Sequence, residues 1–466
     1  MDVLLTIVQT INTYLSNYVL IILLIGTGLY FTIRTKFVQV RCFGEGWKRM
    51  FKGFSLRGGK QESGMSSFQA LATAVAAQVG TGNIVGACGA ILIGGPGAIF
   101  WMWVIAFLGM ATNYAEAVLA QKTRKVDADG TVHGGPVYYI KTAFTGKFGK
   151  FLAGFFAVAI ILALGFMGCM VQSNSIAETC STAFNIPAWV IGLVVVIVAG
   201  FIFLGGVSRL AAVTEKLVPV MAVVYLIGGI VVLIANGPAV GQALALIFEF
   251  AFNPQASIGG VTFGLIAALS QGAKRGLFSN EAGKMVEKAK KSKQTFQLHP
   301  HEQGVVAIIA VFIDTFVVVT ITALVTITVL YTGDGVLAQG LYDGVAKTNM
   351  AQMAFGSVFG EAGGNIFVAV CLLFFAFSTI LSWNLFAKIN VQYLFGKKAV
   401  PVFSVIALIF IFLGSLLSND LVWELADMFN QLMVLPNAIA LIALGGAVSI
   451  CAKTKGEKTD KKNLNK

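Results

Sequence analysis

The 466-residue chain is 57% hydrophobic and only 12% charged, with a mean hydropathy of +0.83, and a water-soluble protein of that make-up would leave too much apolar surface uncovered. The bilayer is therefore its expected solvent. A formal charge of +12 would point to nucleic acid in a soluble protein, but here the basic residues flank apolar runs, so membrane lipid is the expected partner and nucleic acid is not.

The N-terminus carries Asp2 and no basic residue ahead of its first apolar run, so it lacks the charged start of a cleaved signal peptide and the first span is expected to be retained. A membrane-crossing helix needs about 20 apolar residues. Runs of that kind centre on 18–33, 68–93, 97–120, 150–172, 187–205, 215–235, 258–279, 304–331, 363–385, 400–417 and 430–450, which predicts eleven transmembrane helices in an all-α polytopic protein. With loops alternating sides, every Lys and Arg except Lys347 falls in one set: 34–67, 121–150, 206–216, 274–303, 386–399 and the tail from Cys451. The other set carries Glu178, Glu249, Asp334, Asp343, Glu361, Asp420, Glu424 and Asp427. The positive-inside rule then puts the C-terminus in the cytoplasm and the N-terminus outside a cell (inner) membrane.

No loop is long enough to bury a core of its own, so 1–466 reads as a single transmembrane domain. It divides into a leading helix and basic loop over 1–67, five helices over 68–235, five more over 258–450, and a basic tail over 451–466 that lies in solvent near anionic lipid. The six cysteines are scattered without zinc-site or disulfide spacing and read as unbridged thiols.

The second run contains Gln78-Val79-Gly80-Thr81-Gly82-Asn83 near its middle, and the seventh contains Ser270-Gln271-Gly272-Ala273-Lys274-Arg275-Gly276. Glycine inside a helix costs about 1 kcal/mol relative to alanine and invites a break. At membrane depth a break survives only against protein or a polar cavity. With the leading helix set aside, these are the first and sixth of ten helices, the pattern of two five-helix halves repeated with inverted topology. Gly80, Gly82 and Gly86 also fit the plainer role of small residues in close helix packing. A broken helix offers N–H groups to a carboxylate and carbonyl oxygens to a hard cation such as sodium. No Lys or Arg lies deep in a span on this reading, which favours a small neutral zwitterion over a charged solute.

Glu116 and Asp314 are the carboxylates inside spans. An intramembrane acid is a functional candidate by default. Asp314 reads either as a proton relay or, preferred here, as a buried partner for Lys274 or Arg275. His133, His299 and His301 fall in loops without metal-ligand spacing and read as solvated surface residues. There is no Gly-x-Ser-x-Gly, Walker loop or His pair at helical spacing, so neither enzyme chemistry nor direct ATP drive is expected, and no cofactor.

Four stretches, Gly80-Thr-Gly-Asn-Ile, Gly94-Gly-Pro-Gly-Ala-Ile-Phe-Trp-Met-Trp, Gly134-Gly-Pro-Val-Tyr-Tyr and Lys274-Arg-Gly-Leu-Phe-Ser-Asn-Glu-Ala-Gly283, in this order and across nearly the whole chain, resemble the alanine or glycine:cation symporters. The resemblance implies a leucine-transporter-type core of five plus five inverted-repeat helices behind one extra helix, importing alanine or glycine with sodium as the coupling ion. By position it implies sodium ligation by the carbonyls of Ala76, Val79 and Phe375 and the hydroxyls of Ser378 and Thr379. For the substrate, the candidates are Gln78, Thr81, Gly82, Asn83, Gln172, Asn174, Ser270, Gln271 and Gly272. Bonding between helices is the competing role for Gln172 and Asn174, and back-bonding to the preceding turn for the two hydroxyls.

One departure from the family pattern stands out: after Gly283 small residues and a proline are usual, whereas here Lys284-Met-Val-Glu-Lys-Ala-Lys-Lys-Ser-Lys-Gln-Thr follows. The competing functions are proton coupling through Asp314, a glutamine or serine preference, and a gradient-independent exchanger or pore.

Overall fold

The computed structural model describes residues 2–52, 75–126, 132–253, 256–258, 261–280 and 300–454. It is built of helices, seven of which are long and apolar enough to cross a membrane among the described residues, with shorter apolar helices between them. In chain order the helices are α1 (Val3–Arg34), α2 (Phe43–Lys52), α3 (Gly82–Gly94), α4 (Ala98–Lys122), α5 (Pro136–Ala143), α6 (Gly146–Phe184), α7 (Ala188–Leu204) and α8 (Gly206–Ala235). They continue as α9 (Gly237–Phe252), α10 (Leu265–Asn280), α11 (Pro300–Leu330), α12 (Met350–Phe359), α13 (Glu361–Phe395), α14 (Ala399–Gly414), α15 (Asn419–Ala443) and α16 (Gly445–Thr454). Two small antiparallel pairs join loops: β1 (Lys125–Val126) with β2 (Val132–His133), and β3 (Ala256–Ile258) with β4 (Val261–Phe263).

The interior is formed mainly where α6 meets α13, α11 meets α4, and α10 lies on α4. Close approach there depends on small residues. A Cβ added at Gly272 of α10 would come within 2.6 Å of Trp101 Cβ and 2.8 Å of the Ala98 carbonyl on α4. Large apolar side chains such as Phe201, Leu204, Val220, Ile227 and Ile234 are exposed, as expected where lipid is the solvent.

Several predicted boundaries move, each for a physical reason. The leading helix begins about four turns earlier than the 18–33 run, because its polar residues are satisfied by α15: Asn12 donates to the Glu424 carbonyl at 2.8 Å and Ser16 to Gln431 at 3.1 Å. The stretch between the sixth and seventh runs holds α9, whose apolar residues divide between a buried face (Ala243, Ile247, Phe250) and an exposed one (Leu244, Phe248, Phe252).

The seventh run is not one span over 258–279. Its first residues, rich in β-branched side chains, form the β3–β4 hairpin, and α10 follows it. Within 265–280 α10 is a continuous helix, so the expected break near Gly272 is corrected: that glycine serves close packing on α4. The atypical stretch after Gly283 and the basic tail beyond Thr454 lie outside the described residues. All six cysteines are buried and none is in a disulfide.

Candidate functional site

The helix described from Val75 stops at Val79 and Gly80 and resumes at Thr81, passing into a π-helical stretch over Gly82–Gly86. An α-helix interrupted in a buried place leaves peptide groups that must find partners elsewhere. The partners are visible one by one. The Gly80 N–H, which a continuous helix would give to the Ala76 carbonyl, goes to Asn83 Oδ1 at 2.9 Å. The Thr81 N–H, which would go to Ala77, goes to Gln172 Oε1 on α6 at 3.0 Å. The released carbonyls are taken up by α13: Trp383 Nε1 donates to Ala77 O at 3.1 Å, and the Thr379 hydroxyl lies 2.8 Å from Ala76 O and 3.4 Å from Val79 O.

Thr379 Oγ1 also lies 3.0 Å from the Phe375 carbonyl, the ordinary back-bond of a helical threonine. One hydroxyl proton serves one carbonyl at a time, so three carbonyl oxygens converge on a group that satisfies them only in turn. Ala76, Val79, Phe375 and Thr379 are all fully buried. Such an oxygen-rich, apolar-walled spot matches the ligand preference of a hard cation. Ser378 belongs less directly: its hydroxyl bonds Phe375 O at 2.9 Å and faces Met221 Sδ at 3.8 Å. Gly80 is required here, since a Cβ would meet Thr379 Oγ1 at 2.5 Å and Gln172 Oε1 at 3.2 Å.

On the other side of the break, Asn83 donates to Asp314 of α11, at 2.6 Å to Oδ1 and 3.1 Å to its carbonyl. Thr315 donates to Asp314 Oδ2 at 2.9 Å. The expected pairing of Asp314 with Lys274 or Arg275 is thereby corrected. Arg275 makes a two-point ion pair with Asp427 of α15, at 3.1 and 2.8 Å. Its side chain is 7% exposed and that of Asp427 is 3% exposed. Arg275 is therefore no loop residue, Asp427 is not on an outer loop, and the premise that no cation lies deep in the bundle is overturned. The Arg275 guanidinium stacks 4.5 Å from the ring centre of Trp423, and both touch the π stretch, Arg275 Cδ being 3.7 Å and Trp423 Cη2 3.5 Å from a Cβ built on Gly86. Lys347 reaches the same ring at 5.4 Å and Asp420 at 3.2 Å. Burial and the nearby Arg275 push the Lys347 ammonium below its ordinary range, with Asp420 opposing them.

The remaining expected site residues divide. Gln78, Thr81, Gly82, Asn83 and Gln172 lie at the break, all buried. Thr81 Oγ1, Gln172 Nε2 and Trp423 Nε1 are buried without a hydrogen-bond partner among the described residues, which in a packed interior marks groups suited to a polar ligand. Asn174 is not at the break. Its amide bonds the carbonyls of Gly414 and Leu417, each at 3.0 Å, and accepts from Asn419 at 2.8 Å, so it holds α6, α14 and α15 together. Ser270, Gln271 and Gly272 lie instead toward the far end of α3 and against α4, with Gln271 Cβ 3.1 Å from a Cβ built on Gly94.

On α10, Phe278 joins Arg275 beside the break, its ring meeting Trp383 and Trp423 at 5.4 and 5.0 Å. Phe278, Trp383 and Trp423 were missed because single aromatic residues carry no spacing signal, although Phe278 stands inside the quoted Lys274–Gly283 motif; Arg275 was named only as a partner for Asp314. His301 is also corrected: it is fully buried and bonded to Tyr114.

The family profile described as the sodium:alanine symporter family matches residues 1–466. Among relatives, the sodium/alanine symporter AgcS of Methanococcus maripaludis is 37% identical over 98% of this chain and 98% of its own. A Bacillus subtilis protein described as a putative sodium/proton-dependent alanine carrier is 38% identical over 96% of this chain and 91% of its own. A probable sodium/glutamine symporter of the same organism is 37% identical over 96% and 90%. A full-length profile match, whole-chain identity well above 30% and a bundle of apolar helices agree: this chain is a multi-pass membrane transporter, not an enzyme, and belongs to the sodium:alanine symporter family.

Proposed function

We propose that the protein imports a small neutral amino acid, alanine or glycine, with sodium by alternating access. The observation that carries this reading is the convergence of the Ala76, Val79 and Phe375 carbonyls on the Thr379 hydroxyl at the helix break, a donor set suited to sodium. Next to it, Thr81 Oγ1, Gln172 Nε2 and Trp423 Nε1 supply polar contacts for a dipolar solute. Arg275 is paired with Asp427, so this ion pair adds no net charge to the site.

The eleven-span topology, with a leading helix before two five-helix halves, an external N-terminus and a cytoplasmic tail, remains the arrangement favoured by the distribution of basic residues. A zwitterion carries no net charge, so each sodium entering through about 100 mV supplies roughly 2.3 kcal/mol. A tenfold sodium gradient adds about 1.4 kcal/mol, enough for one ion to drive accumulation.

The test is uptake of labelled alanine into proteoliposomes with and without an inward sodium gradient, with glycine, serine and glutamine as competitors. Equal uptake with potassium on both sides would remove the sodium reading. A second reading, proton coupling, is favoured by one observation: a fully buried carboxylate, Asp314, is bonded to the break itself. Uptake driven by a pH gradient in sodium-free buffer would support it.

A further inference from the structure

Away from the helix break, a second polar cluster lies where α2 packs on α11. The two helices touch at backbone level, a Cβ on Gly46 meeting the Val305 carbonyl at 2.4 Å. Phe43 packs edge-on against Phe312 beside them. At this seam the thiol of Cys42, the carboxylate of Glu45 and the imidazole of His301 bring their ligand atoms within 4.8 Å of one another. His301 Nε2 and Glu45 Oε2 are 3.5 Å apart.

We propose that Cys42, Glu45 and His301 bind a divalent transition metal of the zinc type, which pins α2 to α11. Thiolate, imidazole and carboxylate are the donors zinc takes, and three protein ligands with a fourth position open is a common zinc arrangement. Zinc–ligand bonds of about 2.0–2.3 Å around a tetrahedral centre place donor atoms roughly 3.3–3.8 Å apart. The carboxylate–imidazole distance is already in that range, and a thiol movement of about 1 Å closes the set.

Two of the three ligands are oriented by what their other atoms touch, the arrangement that fixes tautomer and direction in metal sites. His301 Nδ1 is 2.8 Å from the Tyr114 hydroxyl, which leaves Nε2 as the ligating nitrogen. Glu45 Oε1 accepts from Arg49 at 2.9 Å, leaving Oε2 for the metal, and Arg49 is held in turn by Glu302 at 2.8 Å. The Arg49 guanidinium on Glu45 Oε1 favours the ionised carboxylate that a metal needs. Cys42 and His301 are buried, while the Glu45 side chain is 29% exposed and marks the way in from solvent.

The experiment is metal titration of the purified full-length protein, with zinc followed by calorimetry and cobalt by absorbance. The wild-type protein is expected to bind with a thiolate-to-cobalt charge-transfer band and to melt at higher temperature with zinc. Cys42→Ser should remove the band, and Cys42→Ser and His301→Gln should each weaken binding by about tenfold or more. Cys371→Ser, on α13, should change neither. Glu45→Gln, at a partly exposed position, supplies a variant expected to stay folded, with metal-free melting only slightly lowered at neutral pH and zinc affinity reduced. Cobalt bound without the band, or undiminished zinc affinity in Cys42→Ser and Glu45→Gln, would overturn the site. For the pinning, zinc is expected to slow alanine uptake by the wild-type protein and not by Glu45→Gln; full uptake with metal bound would overturn it.

Discussion

The side-chain amide of Asn83 lies 2.6 Å from a carboxylate oxygen of Asp314, and each residue sits in a stretch where its helix widens into π turns. Such widening is frequent at functional sites because it turns side chains and peptide groups out of the regular ladder. Here it couples the helix break to α11. Replacing Asp314 by Asn keeps an acceptor for Asn83 but removes the charge assistance, a loss of about 1 kcal/mol. Asp314→Asn is therefore expected to raise the alanine concentration for half-maximal uptake by about tenfold at most while accumulation stays sodium-driven. Loss of sodium-driven accumulation, with folding intact, would transfer the coupling role to this carboxylate.

Thr379 is the hydroxyl to which the break's carbonyls turn. Thr379→Ala is expected to raise the sodium concentration for half-maximal uptake by at least about tenfold, since one ligand and its orientation are lost. Thr379→Ser should restore most of it. Uptake measured against sodium, at constant ionic strength set with choline, separates the two variants; identical sodium curves for wild type and Thr379→Ala would rule out ligation here.

Gly80→Ala tests the tightness of the same place. The new methyl group would press on Thr379 Oγ1 at 2.5 Å, and overpacking of that kind costs about 1–3 kcal/mol. Sodium-driven uptake should fall sharply. The melting temperature in detergent should drop only modestly, because the cost is confined to the break.

The Arg275–Asp427 pair predicts an asymmetry. Removing one partner leaves a buried charge uncompensated, at a cost of about 3–5 kcal/mol, whereas replacing both by apolar residues of similar size is far milder. Asp427→Leu alone should destabilise the protein strongly, and Arg275→Met with Asp427→Leu should recover much of the loss. A double-mutant cycle on thermal melting measures the coupling.

Glu45 gives a pH prediction with a definite sign. Its carboxyl sits below its ordinary value of 4.5 in the folded protein. Its contribution to stability is therefore complete above the ordinary carboxylate range and is lost as pH falls through that range and below. Melting curves between pH 7 and about 3.5 should show a steeper acid decline for the wild type than for Glu45→Gln.

The helix break was legible in the sequence because it is a local matter: Gly80, Gly82 and the hydroxyl of Thr81 disturb a single helix, and local disturbance is written in neighbouring letters. The break predicted at Gly272 looked the same in sequence, yet there the glycine answers a tertiary demand, the approach of α4. Single-chain reading does not separate those causes. Asp314 and Arg275 show the other limit. Asp314 was recognisable as a buried charge and Arg275 was named only as its possible partner, but their actual partners, Asn83 and Asp427, lie far along the chain, and nothing in spacing says which pairs meet. His301 was read as a loop residue because it stands just inside the end of a helix, beside a run of polar residues that hides where the helix starts.

The peptide groups released around residue 80 are held from three helices: by Gln172 from α6, by Thr379 and Trp383 from α13, and, through Asn83, by Asp314 from α11. Rewinding this turn into a regular helix would detach all of them at once. The kink is therefore a junction shared by three rods, and any tilt of one must be felt by the other two. Such shared anchoring ties the joint to the bundle, so that its rearrangement requires the three helices to move together.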